Sequence, residues 1–417
     1  VCRKAAHYVR YQTPVGSAKA SSEPADHSES RRGVTVPPRR TGPGKGRLRP
    51  ESVIQGGLEM ADKSRPRRGS MGFSPRKRAL RKYGRIQAWP ETSESEIRVL
   101  GFAGWKAGMT HVLLRDTNSN STSAGQEIRK AVTVVESPPM KVLAVRGYRM
   151  TPYGMQTAGE VWADMSESGP DGLMPRYANQ TRGERDAEQG RKPAKRGGRI
   201  PSRSGSPDEA MEALRQSDLC DVRLIVATQP SLVKSVPGKT PEIMEVGLTG
   251  GDSDSKMEWA SERLGGEITV EDVWQAGQDV DVVGITKGKG WQGAVKRWGV
   301  KLLSHKNSKR RRQAGNLGDF GTGYVRKTVP QAGQVGYHQR TELNKRILRI
   351  SNPDESDITP AGGFLHYGEV TNPYILIQGS LPGPAKRMLR FRDPIRPRGE
   401  LSEVVLTYVS TSSKQGV

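Results

Sequence analysis

The sequence predicts a mainly β protein, closed or nearly closed into a barrel and not a doubly wound sheet. Short β-branched runs recur along the chain, each bounded by glycine or proline. Helical patterns are few and do not alternate with the strands, as a parallel crossover sheet requires. Gly (49) and Pro (28) are plentiful while only 33% of residues are apolar, so long irregular segments dilute the core.

The elements follow in chain order. VLGFAGWKAGMTHVLLRD (99–116) reads as two short strands around Gly108. AVTVVESPP (131–139) and KVLAVRGY (141–148) are strands separated by the Pro138-Pro139 turn. VRLIVAT (222–228), VDVVGIT (280–286), PYILIQGS (373–380) and EVVLTYV (403–409) continue the series. Between 164 and 221 the composition turns polar, which reads as an insertion between barrel strands. A helix is expected from SPDEAMEAL, with Ser206 as N-cap, Pro207 at the first helical position and Glu209 completing a capping box. DSKMEWASERL predicts a second, with Met257, Ala260 and Leu264 on one face and a stop at Gly265-Gly266.

The N-terminal part differs from the rest. Residues 1–59 are rich in Ser, Pro, Gly and Arg without apolar periodicity, and Met60 is the first methionine. They are expected to be either a disordered extension or sequence upstream of a misassigned start. Residues 61–85 carry ten Lys or Arg and one acid, Asp62. Gly69, Gly72, Pro66 and Pro75 prevent a helix there, which predicts an extended basic arm whose Arg65, Arg67, Arg68, Arg76, Lys77 and Arg78 meet phosphate.

Charge narrows the partner. A net +23 with a pI near 10.1 exceeds what solubility needs and points to a polyanion, nucleic acid before a membrane surface. Cys2 and Cys220 make no metal or disulfide framework, and the six histidines show no ligand spacing, so no metal or cofactor is expected. With no run of eighteen apolar residues and no apolar leader, the expected compartment is the cytoplasm. The charge also changes sign abruptly. Asp252 to Asp281 holds nine acids and two bases, whereas Thr286 to Gln313 holds ten Lys or Arg and no acid.

GKGWQG (288–293), directly after an apolar run, has the glycine spacing of a dinucleotide-binding turn. That reading needs a helix opening at the third glycine and an acid about twenty residues on. Gly299 interrupts AVKRWGV too early, and KNSKRRRQ stands where the acid should be. The phosphate-loop alternative at GKT (238–240) has Val233 in place of its first glycine. RNA fits better. Gly284, Gly288, Gly290 and Gly293 would let the backbone approach phosphates. Lys287, Lys289, Lys296, Arg297 and Lys301 would neutralise them, with Lys309, Arg310, Arg311 and Arg312 continuing the contact. Trp291 could stack on a base; Trp298 could do so or instead close the end of the barrel.

From VDVVGITKGKGWQGAVKRWGVK outward, the chain resembles the universal large-subunit ribosomal protein L three family, in its archaeal and eukaryotic form. GFAGWKAGMTH (101–111), VTVVESPPM (132–140), GNLG (315–318), TVPQAGQVGYHQRTELNKRI (328–347), GGFLHYGEV (362–370) and GSLPGPAKR (379–387) carry the likeness in the family's order, over roughly 60–410. The resemblance implies a translation-protein-type barrel of six strands with an inserted α+β lobe. It implies a structural, non-catalytic role: binding 23S-type rRNA, supporting early subunit assembly and extending a basic loop toward the peptidyl-transferase centre. Ribosomal protein L fourteen is the implied protein neighbour; DNA, membrane and a homo-oligomeric state are not implied. An RNA-modifying or NAD-linked enzyme, or a free RNA chaperone, remain the alternatives.

The expected organisation is an arm over 60–98, barrel over 99–163, lobe over 164–276 and a barrel strand with its basic loop over 277–301. The central loop follows over 302–330, its return and the last barrel strands over 331–410, and a tail over 411–417. The resemblance puts His338, Gln339 and Arg340 on the rRNA-facing return. It also puts Phe320, within DFGTGY, where family members commonly carry a tryptophan at the loop tip.

Overall fold

The computed structural model describes residues 68–90, 96–118, 120–163, 207–318, 321, 323–399 and 403–413. In chain order its first strands are β1 (Arg98–Val99), β2 (Gly101–Arg115), β3 (Glu127–Glu136), β4 (Met140–Thr151) and β5 (Gly154–Trp162). Next come β6 (Asp221–Ala227), β7 (Ile243–Thr249), β8 (Glu267–Ile268), β9 (Asp279–Ile285) and β10 (Trp291–Gln292). The last are β11 (Gly333–Gln334), β12 (Gln339–Ser351), β13 (Tyr374–Gln378), β14 (Met388–Arg392) and β15 (Val405–Val409). Among the described residues the α-helices are α1 (Pro207–Arg215), α2 (Ser253–Glu262) and α3 (Ala294–Trp298). The protein is mainly β, as its β-branched runs predict.

The larger sheet is antiparallel, in the order β14-β9-β12-β13-β3-β2-β15, and β14 also pairs with β2. Its runs are continuously apolar because both faces are covered. On β13, Ile375 and Ile377 enter one buried cluster with Phe102, Val282, Leu389 and Phe391. The alternate residues Tyr374 and Leu376 enter another with Trp105, Val132, Val134 and Met388, as the period of two in a strand requires. The two strands expected around Gly108 are one. The pairing of β2 with β3 skips a residue between Lys106 and Gly108, so the glycine marks a bulge. A Cβ at Gly108 would lie 2.5 Å from the Phe364 ring, so the site is glycine because a neighbour needs the space.

The second sheet runs β1-β7-β6-β4-β5, with β8 beside β4. β4 and β5, expected within the first part of the barrel, pair instead in this second sheet with β6, which comes from the segment expected as the lobe. The chain changes sheet at Ser137-Pro138-Pro139, and strand propensity carries no information about which sheet receives a strand. β7, which the sequence reading did not single out, lies between β6 and β1. Both expected helices form, and Met211, Leu214, Met257 and Ala260 are buried in the cluster that includes the sheet residues Val142, Leu224 and Val246. The Ser206 cap and residues 164–206 lie outside the described residues, as do residues 1–67.

Candidate nucleic-acid interface

β9 is buried along its whole length and delivers the chain to the surface at Thr286. Lys287, Gly288, Lys289 and Gly290 are then exposed, and Trp291 is 77% exposed. GKGWQG forms one side of a narrow ribbon whose other side is the returning chain. Lys289 N donates to Val335 O at 2.9 Å, Val335 N donates back to Gly290 O at 2.9 Å, and β10 pairs with β11. Gly293 does open a helix, α3, but Gly299 in the left-handed conformation (φ 67°) ends it after five residues. That is too short for the crossover helix of a dinucleotide fold. A Cβ at Gly290 or Gly293 would meet open space, which suits approach by a ligand backbone. Gly284 does not belong with them. It is buried, and a Cβ there would meet Leu389 at 2.6 Å and Pro382 at 2.8 Å, so the fold itself requires this glycine.

The last two side chains of α3, Arg297 and Trp298, face the protein. Trp298 is 7% exposed, and its Nε1 donates to Gln331 O at 2.8 Å. The Arg76 guanidinium lies 4.1 Å from the centre of its ring, and a Cβ at Gly69 would come within 2.5 Å of the indole. Stacking on a base is therefore not the role this conformation gives Trp298; the tryptophan fastens the arm to the loop root. Arg297 donates to the carbonyls of Gln331 (3.1 Å), Gln334 (3.2 Å) and Arg76 (3.3 Å). Its neighbour Lys296 is exposed. The two adjacent cations thus sit in opposite surroundings, one exposed and one bonded to carbonyls.

Over residues 68–90 the arm is extended apart from one 3-10 turn at Met71–Phe73, and it does not hang free. Ala79 N donates to Tyr337 O at 2.8 Å, and His338 Nδ1 lies 3.0 Å from Lys77 O. Gln339 receives Arg85 N at 3.1 Å and returns a bond to Arg85 O at 2.9 Å, while Arg392 donates to Ala88 O at 2.7 Å. Trp89 then packs on the glycine sites Gly101 of β2 and Gly247 of β7. His338 and Gln339 thus hold the arm, whereas Arg340 stacks 4.5 Å over Phe73. No sequence signal marks these partners, because all but one of the acceptors, Gln339 Oε1, are backbone carbonyls, and each lies more than two hundred residues from its donor.

What remains is a surface of one sign. Arg76, Arg297 and Arg340 share this corner, and none forms an ion pair with an acid among the described residues. Burial first, and then the charge of Arg76, holds the guanidinium groups of Arg297 and Arg340 below the ordinary arginine range. Arg68, Lys77, Arg78, Lys287, Lys289, Lys296, Lys301, Lys309, Arg310, Arg311 and Arg312 are exposed around and beyond it. The loop that carries the last four has little internal support. Leu303 N donates to Arg311 O at 3.0 Å, and a single 3-10 turn spans Ser308–Arg310. Arg65, Arg67 and Phe320 lie outside the described residues. Cations concentrated without counter-ions need an external anion, and an extended one matches their spread.

Fold and surface together define a mainly β scaffold built to hold a polyanion. Residues 60–416 match the profile of the family described as Ribosomal protein L3. The large ribosomal subunit protein uL3 of Archaeoglobus fulgidus is 46% identical over 355 residues, covering 84% of this chain and 98% of the relative. The proteins of the same name from Halobacterium salinarum (44%, covering 86% of this chain and 100% of the relative) and Methanopyrus kandleri (44%, 85% and 92%) are similar to the same extent. The chain belongs to the ribosomal protein L3 family.

Proposed function

We propose that this chain is a structural, non-catalytic constituent of the large ribosomal subunit and grips large-subunit rRNA at the root of its basic loop. The observation that carries this reading is the arginine corner of Arg76, Arg297 and Arg340, fastened by carbonyls and aromatic rings and without an acid partner among the described residues. Lys287, Lys289, Lys296 and the exposed Trp291 face outward beside it, a combination of phosphate contacts and a stacking surface that suits RNA. Arg68, Lys77 and Arg78 extend the contact along the arm, and Lys301 and Lys309 to Arg312 extend it into the central loop. Arg297 and Trp298 serve the same surface by holding its parts together, as do His338 and Gln339.

Family membership supports the finer parts of this reading: a role early in subunit assembly, a loop over 302–330 aimed at the peptidyl-transferase centre, and ribosomal protein L fourteen as a neighbour. The pairing pattern supports a closed six-stranded barrel, because β14, β9, β12, β13, β3 and β2 each have two neighbours in one ring. On the ribosome the protein is cytoplasmic, and among the described residues no helix is long and apolar enough to cross a membrane. Sedimentation tests the reading: the chain should co-migrate with large-subunit particles and bind their purified rRNA with a steep salt dependence. A chain that stays at the top of the gradient, or binds with no salt dependence, contradicts it.

A further inference from the structure

A second groove lies beside the loop root, where the arm, the Gly383–Arg387 turn and residues 236–242 of the lobe meet. Its walls include three cations (Lys82, Lys386 and Arg387), the aromatic rings Tyr83 and Tyr337, and one acid, Glu242. Lys82 and Tyr83 come from the basic arm, whereas Tyr337, Lys386, Arg387 and Glu242 lie outside the basic runs and the glycine motif that mark the first surface.

The groove is built rigidly. Lys106 is only 8% exposed, and its Nζ donates to Leu381 O at 2.7 Å, pinning the turn from beneath. Lys386 N and Lys106 N exchange backbone bonds across the same turn, to Lys106 O at 2.8 Å and Arg387 O at 3.0 Å. Two wall residues hold left-handed backbones although neither is glycine: Tyr337 at φ 54° and Lys386 at φ 67°. For a bulky aromatic this conformation is unfavourable, and such strain collects where a side chain must be aimed. The Arg387 guanidinium sits 5.2 Å from the Tyr337 ring centre and donates to Lys82 O at 3.4 Å, joining the two walls. Lys82 and Lys386 are exposed, and neither side chain has a protein partner among the described residues. The groove is also continuous with the first surface: a Cβ at Gly288 would lie 3.7 Å from that of Tyr337.

We propose that this groove is a second RNA-binding site, taking one unpaired nucleotide whose base stacks on tyrosine and whose flanking phosphates meet Lys82 and Lys386. The inference rests on the reading that the partner is RNA. Three cations against one acid, interleaved with aromatic rings, favour RNA over a protein segment.

The test measures the salt dependence of binding between the full chain and purified large-subunit rRNA. In the Lys82→Gln, Lys386→Asn double variant the asparagine keeps the left-handed backbone accessible. Loss of two single-strand phosphate contacts should reduce the slope of log K against log salt by about 1.4. The comparison is Lys287→Gln, Lys289→Gln at the loop root. If that pair lowers the slope and the groove pair leaves it unchanged, the groove proposal is overturned while the first reading stands. If neither pair changes it, both fail. Ultraviolet cross-linking of assembled large subunits reads the site without substitution: nucleotide adducts on Tyr83 support it. A cross-link from Lys386 to another protein with no nucleotide adduct on Tyr83 identifies a protein occupant and overturns it.

Discussion

Lys296 and Arg297 are adjacent, equally charged and indistinguishable by composition, yet their surroundings predict opposite phenotypes on truncation. Lys296→Ala removes an exposed cation and should leave the fold untouched. Binding to rRNA should weaken, with a salt slope smaller by about 0.7 to 0.9 for one lost phosphate contact. Arg297→Ala instead removes the donors to Gln331, Gln334 and Arg76. Hydrogen bonds from a charged donor contribute about 1.5–3 kcal/mol each. Water can reach the freed carbonyls at this half-exposed position, so the summed loss should be discounted to about 2–4 kcal/mol. That energy holds the arm against the loop root and does not contribute to the global core. Amide exchange at residues 69–79 and 331–335 should therefore accelerate by about 30- to 900-fold, while β9 and β13 stay protected. Hydrogen–deuterium exchange on the free protein measures this directly. Equal salt slopes for both variants, with unchanged exchange in the arm, would refute the division of labour.

Three further outcomes follow from the same structure. Gly84→Ala would place a Cβ 2.5 Å from Val283 Cγ1, so overpacking should cost about 1–3 kcal/mol, seen as faster proteolysis of the arm and a lower Tm. Glu136 is fully buried, and its Oε1 accepts from Asn372 Nδ2 (2.6 Å), Asn372 N (3.0 Å) and Thr371 N (3.2 Å), while Tyr367 donates to Oε2. Glu136→Gln sets an amide donor against these donors and should destabilise by about 1–3 kcal/mol in chemical denaturation. Burial alone would raise the Glu245 carboxyl, but hydrogen bonds from Arg223 and Tyr148 and the charges of Arg223 and Arg146 outweigh it and hold it below its usual range. A folded pKa below the unfolded value of about 4.3 stabilises above that pH and is lost as pH falls through the folded pKa. Glu245→Gln should therefore flatten the acid limb of the stability curve; an unchanged limb contradicts the linkage.

Much of the function was legible in one dimension because charge and glycine spacing are one-dimensional quantities. The sign change after Asp281, the acid-free stretch to Gln313 and the early Gly299 identified a polyanion surface and excluded a cofactor turn without coordinates. Strand runs such as VDVVGIT were equally plain, since covering both faces of a sheet demands unbroken apolar sequence. Tertiary structure alone decided which of those features face outward. Gly284 and Gly290 are six residues apart, but only packing makes the first a seat for Leu389 and Pro382 and leaves the second open. Trp291 and Trp298 are seven residues apart, one exposed and the other closed under Arg76. β4 joined the second sheet because pairing is a contact between distant segments, which propensity does not encode. The sequence by itself pointed to a polyanionic partner; the fold decided which cations are exposed and which hold the arm in place, because those that hold it bond to backbone carbonyls, which every residue carries alike.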